Sequence, residues 1–141
     1  MEFAVERTIE AAADQVWTLL ADAERYPSWN PTVVSLRGRI ADAERIELVS
    51  TLNPKRTFKL QVTDVEPARR MVWQSGMPFG LFRGVRTFSL TPTGESETVF
   101  SMREAYSGAL AGLITKTIPD MSDAFAQFAD SLKAAAERNG G

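Results

Sequence analysis

The chain has 141 residues, with 16 basic and 18 acidic side chains, a net charge of −2, and neither cysteine nor histidine. That length fits one domain over residues 1–141 and buries enough surface to fold without a staple. The missing Cys and His exclude a disulfide framework, a cysteine nucleophile, a Ser-His-Asp triad and an ordinary zinc site.

Charges of both signs are interspersed. The densest basic cluster, Arg37, Arg39 and Arg45, is interrupted by acids. Nucleic acid is therefore not an expected partner, because it calls for a continuous basic face. The opening Met1–Glu6 lacks a basic segment and an apolar run of leader length, and no stretch approaches the roughly 18 apolar residues of a membrane span. The expectation is a soluble, cytoplasmic protein with no stable membrane insertion.

In chain order, Glu2–Ile9 alternates, with Phe3, Val5 and Ile9 on one side, which predicts a half-buried strand. Ala11–Asp22 predicts a short helix that Asp14 and Gln15 help to start. Pro27 and Pro31 predict an ordered turn around Trp29 in place of continuous helix. From Thr32 to Ser107 the pattern is strands and turns. Strands are predicted at 33–40, 45–52, 55–65, 70–75, 81–91 and 98–106, with Phe58, Leu60 and Val62 sharing one face. Gly76–Gly80 reads as a loop, and Pro92–Glu95 as a hairpin turn. After Gly108 the period becomes helical. Leu110, Ile114, Ile118, Met121, Phe125, Phe128 and Leu132 form one stripe, with a kink expected at Pro119 and a stop at Asn139–Gly141.

Short strands joined by tight turns imply an antiparallel meander. Its apolar face needs a cover, and the last helix is the only element long enough. Because sheets twist, about seven strands curl around that helix, and two short helices after the first strand plug one end. The fold class is α+β, a curved antiparallel sheet wrapped around a long C-terminal helix. Space that one helix does not fill becomes a cavity.

The segments "ERTIEAAADQVWTLLADAERYPSWNP", "RRMVWQSG", "GVRTFSL" and "REAYSGAL" resemble the START/Bet v 1-like helix-grip superfamily, in particular its polyketide cyclase/dehydrase-like branch. The resemblance covers essentially the whole chain and rests on scaffold motifs. It implies a helix-grip fold and leaves the activity open, since such relatives include lipid carriers, hormone receptors, aromatic cyclases and co-chaperones.

Strand parity selects the site residues. Phe82, Phe88 and Leu90 share parity with Arg86, while Phe100, Met102 and Tyr106 share parity with Glu104. A charge on an apolar face is costly unless paired, so an Arg86–Glu104 ion pair is expected at the cavity wall. It serves either as a ligand anchor, as an acid/base pair with Tyr106, or as a purely structural pair. The apolar lining is expected from Trp73, Met77, Phe79, Phe82, Phe88, Met102, Phe125 and Phe128, with Met77 and Phe79 at the mouth. Tyr26, Trp29 and Asn30 either rim the opening or plug the opposite end. No cofactor or metal is expected, as there is no phosphate loop or ligand cluster. The expected partner is a lipid, polyketide, isoprenoid or aromatic metabolite, bound by a carrier or sensor, with a cyclase/dehydratase or protein-partner role as alternatives. Exposed strand edges leave monomer and homodimer both open.

Overall fold

The computed structural model describes residues 1–140, with side chains through Arg138. The alternation at the start becomes strand β1 (Glu2–Ile9), whose inner face carries Phe3, Val5, Arg7 and Ile9. Helix α1 (Ala13–Leu20) follows. Its start is fixed by the Gln15 side chain, which accepts the Ala12 backbone N–H at 3.3 Å, and its buried face is Ala13, Val16 and Leu20. The expected Pro-bounded turn is itself helical: a 3-10 turn at Ala23–Arg25 leads into the one-turn helix α2 (Tyr26–Trp29). Pro27 lies in the first turn of α2, where its missing N–H has no partner to lose.

The strands are β2 (Val33–Gly38), β3 (Arg45–Ser50), β4 (Phe58–Glu66), β5 (Arg70–Met77), β6 (Phe82–Gly94) and β7 (Glu97–Ser107). They form one antiparallel seven-stranded sheet in the order β1-β7-β6-β5-β4-β3-β2. Several boundaries differ from the sequence reading, and two of them move a turn. Strand β5 runs on through Gly76 to Met77, because both pair with β6. The last hairpin turns at Glu95–Ser96, because Gly94 still pairs with Glu97 and only the register shifts after Pro92, which has no N–H to donate.

The C-terminal segment is not one kinked helix. A short α3 (Ala111–Ile114) and a 3-10 turn at Thr115–Thr117 end at Ile118, whose φ/ψ of −84°/126° is extended. The residue before a proline is driven out of the helical region, so Pro119 breaks the stripe where a bend was expected. Asp120 then restarts the chain: its carboxylate accepts the backbone N–H and the hydroxyl of Ser122 at 2.9 and 2.7 Å, opening α4 (Ser122–Gly140). Those bonds, the hydroxyl's first, hold the Asp120 carboxyl below its ordinary pKa. The helix continues to Gly140, beyond the start of the expected stop, and Gly141 lies outside the described residues.

Helix α4 lies along β1 and is tied to it at four levels. Phe125 packs on Phe3 with ring centroids 5.9 Å apart. The Arg7 guanidinium donates to Asp130 at 2.7 Å, Lys133 Nζ donates to the Thr8 carbonyl at 2.7 Å, and Glu137 accepts the Glu10 N–H at 2.8 Å. On the inner side, Phe128 stacks on Phe100 and meets Phe88, Tyr26 and Trp29, all with centroids within 6.2 Å. Tyr26 is fully buried, its O–H donating to the Leu20 carbonyl at 2.6 Å, and Trp29 packs beside it at 4.9 Å as an end plug. Phe128 is 2% exposed, so Phe128→Ala leaves a hole that its four aromatic neighbours cannot close. A loss of about 3–5 kcal/mol in unfolding free energy is expected by urea titration.

Candidate functional site

Because α4 is held on the β1 side, the opposite half of the concave sheet lacks a helix against it. A cavity of about 710 Å³ fills that half. Its floor is Trp73, Met102 and Phe128, all buried. Its walls are the inward residues of β3 and β4, including Leu48, Phe58 and Leu60, and the α3–α4 junction at Ile114, Ile118 and Met121. At the far end the lining becomes exposed, at Leu52, Asn53, Arg56, Met77, Thr117 and Pro119, and this end is the mouth. A smaller hollow of about 250 Å³ outside α1, α2 and α4 includes Trp29 but none of the expected ligand-lining residues.

The polar corner of the cavity comes from the hairpin β6–β7. Arg86 and Glu104 are directly opposed in its register, and Arg86 Nε donates to Glu104 Oε1 at 2.8 Å. Their side chains are 16% and 15% exposed, so the pair is mostly desolvated, as parity required. The second carboxylate oxygen accepts the Tyr106 O–H. The guanidinium also lies over the Phe125 ring, 4.9 Å from its centroid, and Phe82 stacks on Tyr106 at 5.9 Å. Among the described residues, Arg86 gives only its Nε to a protein acceptor, which leaves the rest of its donor fork beside the cavity.

Of the residues singled out from sequence, Trp73, Met77, Phe82, Arg86, Met102, Glu104, Tyr106, Phe125 and Phe128 line this space. Two do not. Phe88 has inward parity but sits deeper, sealed against Trp73 at 4.6 Å, and belongs to the core. Phe79 points away from the cavity and is 96% exposed, because φ of 62° at Phe79 and 68° at Gly80 turns the chain outward. Tyr26 and Asn30 are buried at the plugged end and do not rim the opening. The β3–β4 wall was missed, although Phe58 and Leu60 share the parity of buried Val62. The α3–α4 junction was hidden inside a stripe read as one helix. Among the described residues no cluster of three or more carboxylates converges to hold a metal ion.

A curled antiparallel sheet gripping a C-terminal helix over an internal cavity is the helix-grip fold of START/Bet v 1-like proteins. The chain belongs to the family described as polyketide cyclase / dehydrase and lipid transport, whose family model matches residues 1–137. No curated protein matches it. Among solved structures, it is similar to a START superfamily protein from Mycobacterium smegmatis, at 16% identity over 98% of each chain and a TM-score of 0.71. It is also similar to the Zhui aromatase/cyclase from a Streptomyces species, at 14% identity over 99% of this chain and 94% of that one, with a TM-score of 0.77. Norcoclaurine synthase from Thalictrum flavum, solved as a point mutant with a transition-state analogue, matches at 16% identity over 100% and 96%, with a TM-score of 0.74. At these identities the likeness establishes the fold alone.

The chain's two tyrosines, Tyr26 and Tyr106, are both held above the ordinary phenol pKa of 10.0. Burial is the main cause for each. For Tyr106 the Glu104 charge and hydrogen bond add to it, and Arg86 partly opposes it in both. The unfolded chain therefore releases phenolic protons at a pH where the folded chain still keeps them. Stability from these groups is intact below the unfolded pKa and declines as pH rises beyond it. A spectrophotometric titration at alkaline pH should show no tyrosinate in the native state near pH 10, and then both phenols ionising together with unfolding. Half the tyrosinate signal developing in the folded protein around that pH would contradict this environment for Tyr106.

Proposed function

We propose that this protein binds a small, mainly apolar molecule bearing an oxygen function, and acts as its carrier or sensor. The observation that carries the reading is a cavity of about 710 Å³, well within the roughly 300–1,000 Å³ of small-molecule sites, whose apolar walls converge on a half-used arginine fork. Glu104 fixes Arg86 in one rotamer, and the spare guanidinium donors face a ligand carbonyl, carboxylate or hydroxyl. The apolar body then lies along Leu48, Leu60 and Met102. A lipid, polyketide, isoprenoid or aromatic metabolite meets that description. The family's own description, polyketide cyclase / dehydrase and lipid transport, supports the same range. We take residues 1–141 as one ligand-binding domain, working in the cytoplasm.

A second reading, as a cyclase or dehydratase, is favoured by one contact. The Tyr106 phenol on Glu104, next to Arg86, gathers a proton donor, a carboxylate and a cation in one corner. Such a corner can polarise a carbonyl and move a proton at the adjacent carbon, while the cavity folds the substrate. Two similar structures are an aromatase/cyclase and a synthase, which makes turnover worth assaying. Conversion of a poly-β-ketone by the wild type, lost in Glu104→Gln, supports the enzyme reading. No conversion leaves the carrier.

Binding itself is tested with the dye 1-anilinonaphthalene-8-sulfonate, an apolar body with one anionic group. It should bind saturably, one per chain. Ala124 lines the cavity from α4, so Ala124→Trp fills the space and should weaken the dye by about tenfold or more, with the circular dichroism spectrum unchanged. Equal affinity in a folded Ala124→Trp variant would place the dye elsewhere and remove the cavity reading.

A further inference from the structure

Three segments meet at the mouth of the cavity: the β3–β4 loop at 51–57, the β5–β6 turn at 76–83, and the β7–α4 connection at 107–119. The last two are joined directly. The Ala109 and Leu110 N–H groups donate to the Gly80 and Leu81 carbonyls at 3.3 and 2.8 Å. Gly108 permits this approach, since a Cβ there would lie 2.7 Å from the Leu81 carbonyl oxygen, and its φ is 113°. The first and third segments face each other across the opening, where Leu52, Arg56, Ile114 and Thr117 all border the cavity.

The character of this rim differs from that of the rest of the molecule. The three segments hold Lys55, Arg56, Arg83 and Lys116, and none of the chain's 18 carboxylates. The first acid beyond them, Asp120, is engaged in capping α4. The same segments present exposed apolar groups: Phe79 at 96%, Leu113 at 65%, and Leu52 and Met77 at just under half. Phe79 serves no internal purpose. Its ring touches no core, and its left-handed backbone is one that bulky residues rarely adopt. An apolar finger and an apolar ledge, ringed by cations on a chain of negative net charge, match a surface with an anionic face and an oily interior.

We propose that the cavity mouth is a docking surface for an anionic lipid bilayer, with Phe79 and Leu113 inserted among the acyl chains and Lys55, Arg56 and Lys116 held at the headgroups. The contact is peripheral. Among the described residues no helix is long and apolar enough to cross a membrane. Docked in this way, the opening faces the lipid, and an apolar molecule passes between bilayer and cavity without crossing water. Of the five residues placed in the bilayer contact only Arg56 also lines the cavity, so the proposal stands or falls separately from the identity of the ligand.

The test is co-sedimentation with phosphatidylcholine vesicles with and without phosphatidylserine, using the full chain. Wild type should bind the phosphatidylserine vesicles, bind pure phosphatidylcholine far more weakly, and be released by salt. Phe79→Asn combined with Leu113→Ser should cut the partition coefficient by about tenfold or more. Asparagine tolerates the left-handed backbone, so the variant keeps its fold and its dye binding in the absence of vesicles. Lys55→Gln, Arg56→Gln and Lys116→Gln together should cost on the order of 100-fold on the anionic vesicles. The proposal is overturned if wild type ignores anionic vesicles, or if Phe79→Asn with Leu113→Ser binds them as well as wild type. It is equally overturned if that variant instead dissolves a homodimer in sedimentation equilibrium, which would make the same face a contact between two copies.

Discussion

The placement of α4 along β1 governs everything else in this molecule. Had the helix lain across the middle of the sheet, its side chains would have filled the concave face and produced a solid core. Four successive ties, from Phe125–Phe3 through Arg7–Asp130 and Lys133–Thr8 to Glu137–Glu10, hold it to the edge strand instead. Each polar tie is partly exposed and individually worth little, but together they fix the register of one element on another. The aromatic cluster around Phe128 closes the near half of the interior. The far half, under β3, β4 and β5, stays empty. In this molecule a hollow is the consequence of a sheet wider than its one helix.

Pro119 completes that arrangement. Its break frees α3 to turn away from α4 and lie beside the β5–β6 turn, to which the Gly108 crossing ties it. The same break therefore shapes the cavity, places Ile114 and Ile118 in its wall, and sets Leu113 and Lys116 on its outer rim. Scaffold, binding space and rim descend from two local features: the ties to β1 and the proline that ends the first helical piece.

Much of this was legible in the sequence, for a physical reason. Period-two alternation reports which face a side chain occupies, and it places Arg86 and Glu104 together on the inner face. Parity does not report depth along a strand. Phe88 was thus assigned to the cavity, although Trp73 and Phe128 close over it. Loop residues lie outside that rule: Phe79, expected at the mouth from its place in a loop, sits on the rim there but faces solvent instead of lining the cavity. Helical periodicity has a matching blind spot. The spacing from Leu110 to Leu132 continues unbroken across Pro119, because the stripe records burial and not hydrogen bonding. The wall residues Phe58 and Leu60 were within reach of the parity rule that found the ion pair.

The central claim is that an apolar hollow lies between α4 and strands β3–β5. Xenon-pressurised crystals test it most directly, since xenon enters apolar cavities and scatters anomalously. The expected result is xenon density bordered by Leu48, Leu60, Trp73 and Phe128, with α4 still seated on β1. Density absent from that region, with α4 or its neighbours found filling it, would contradict the account.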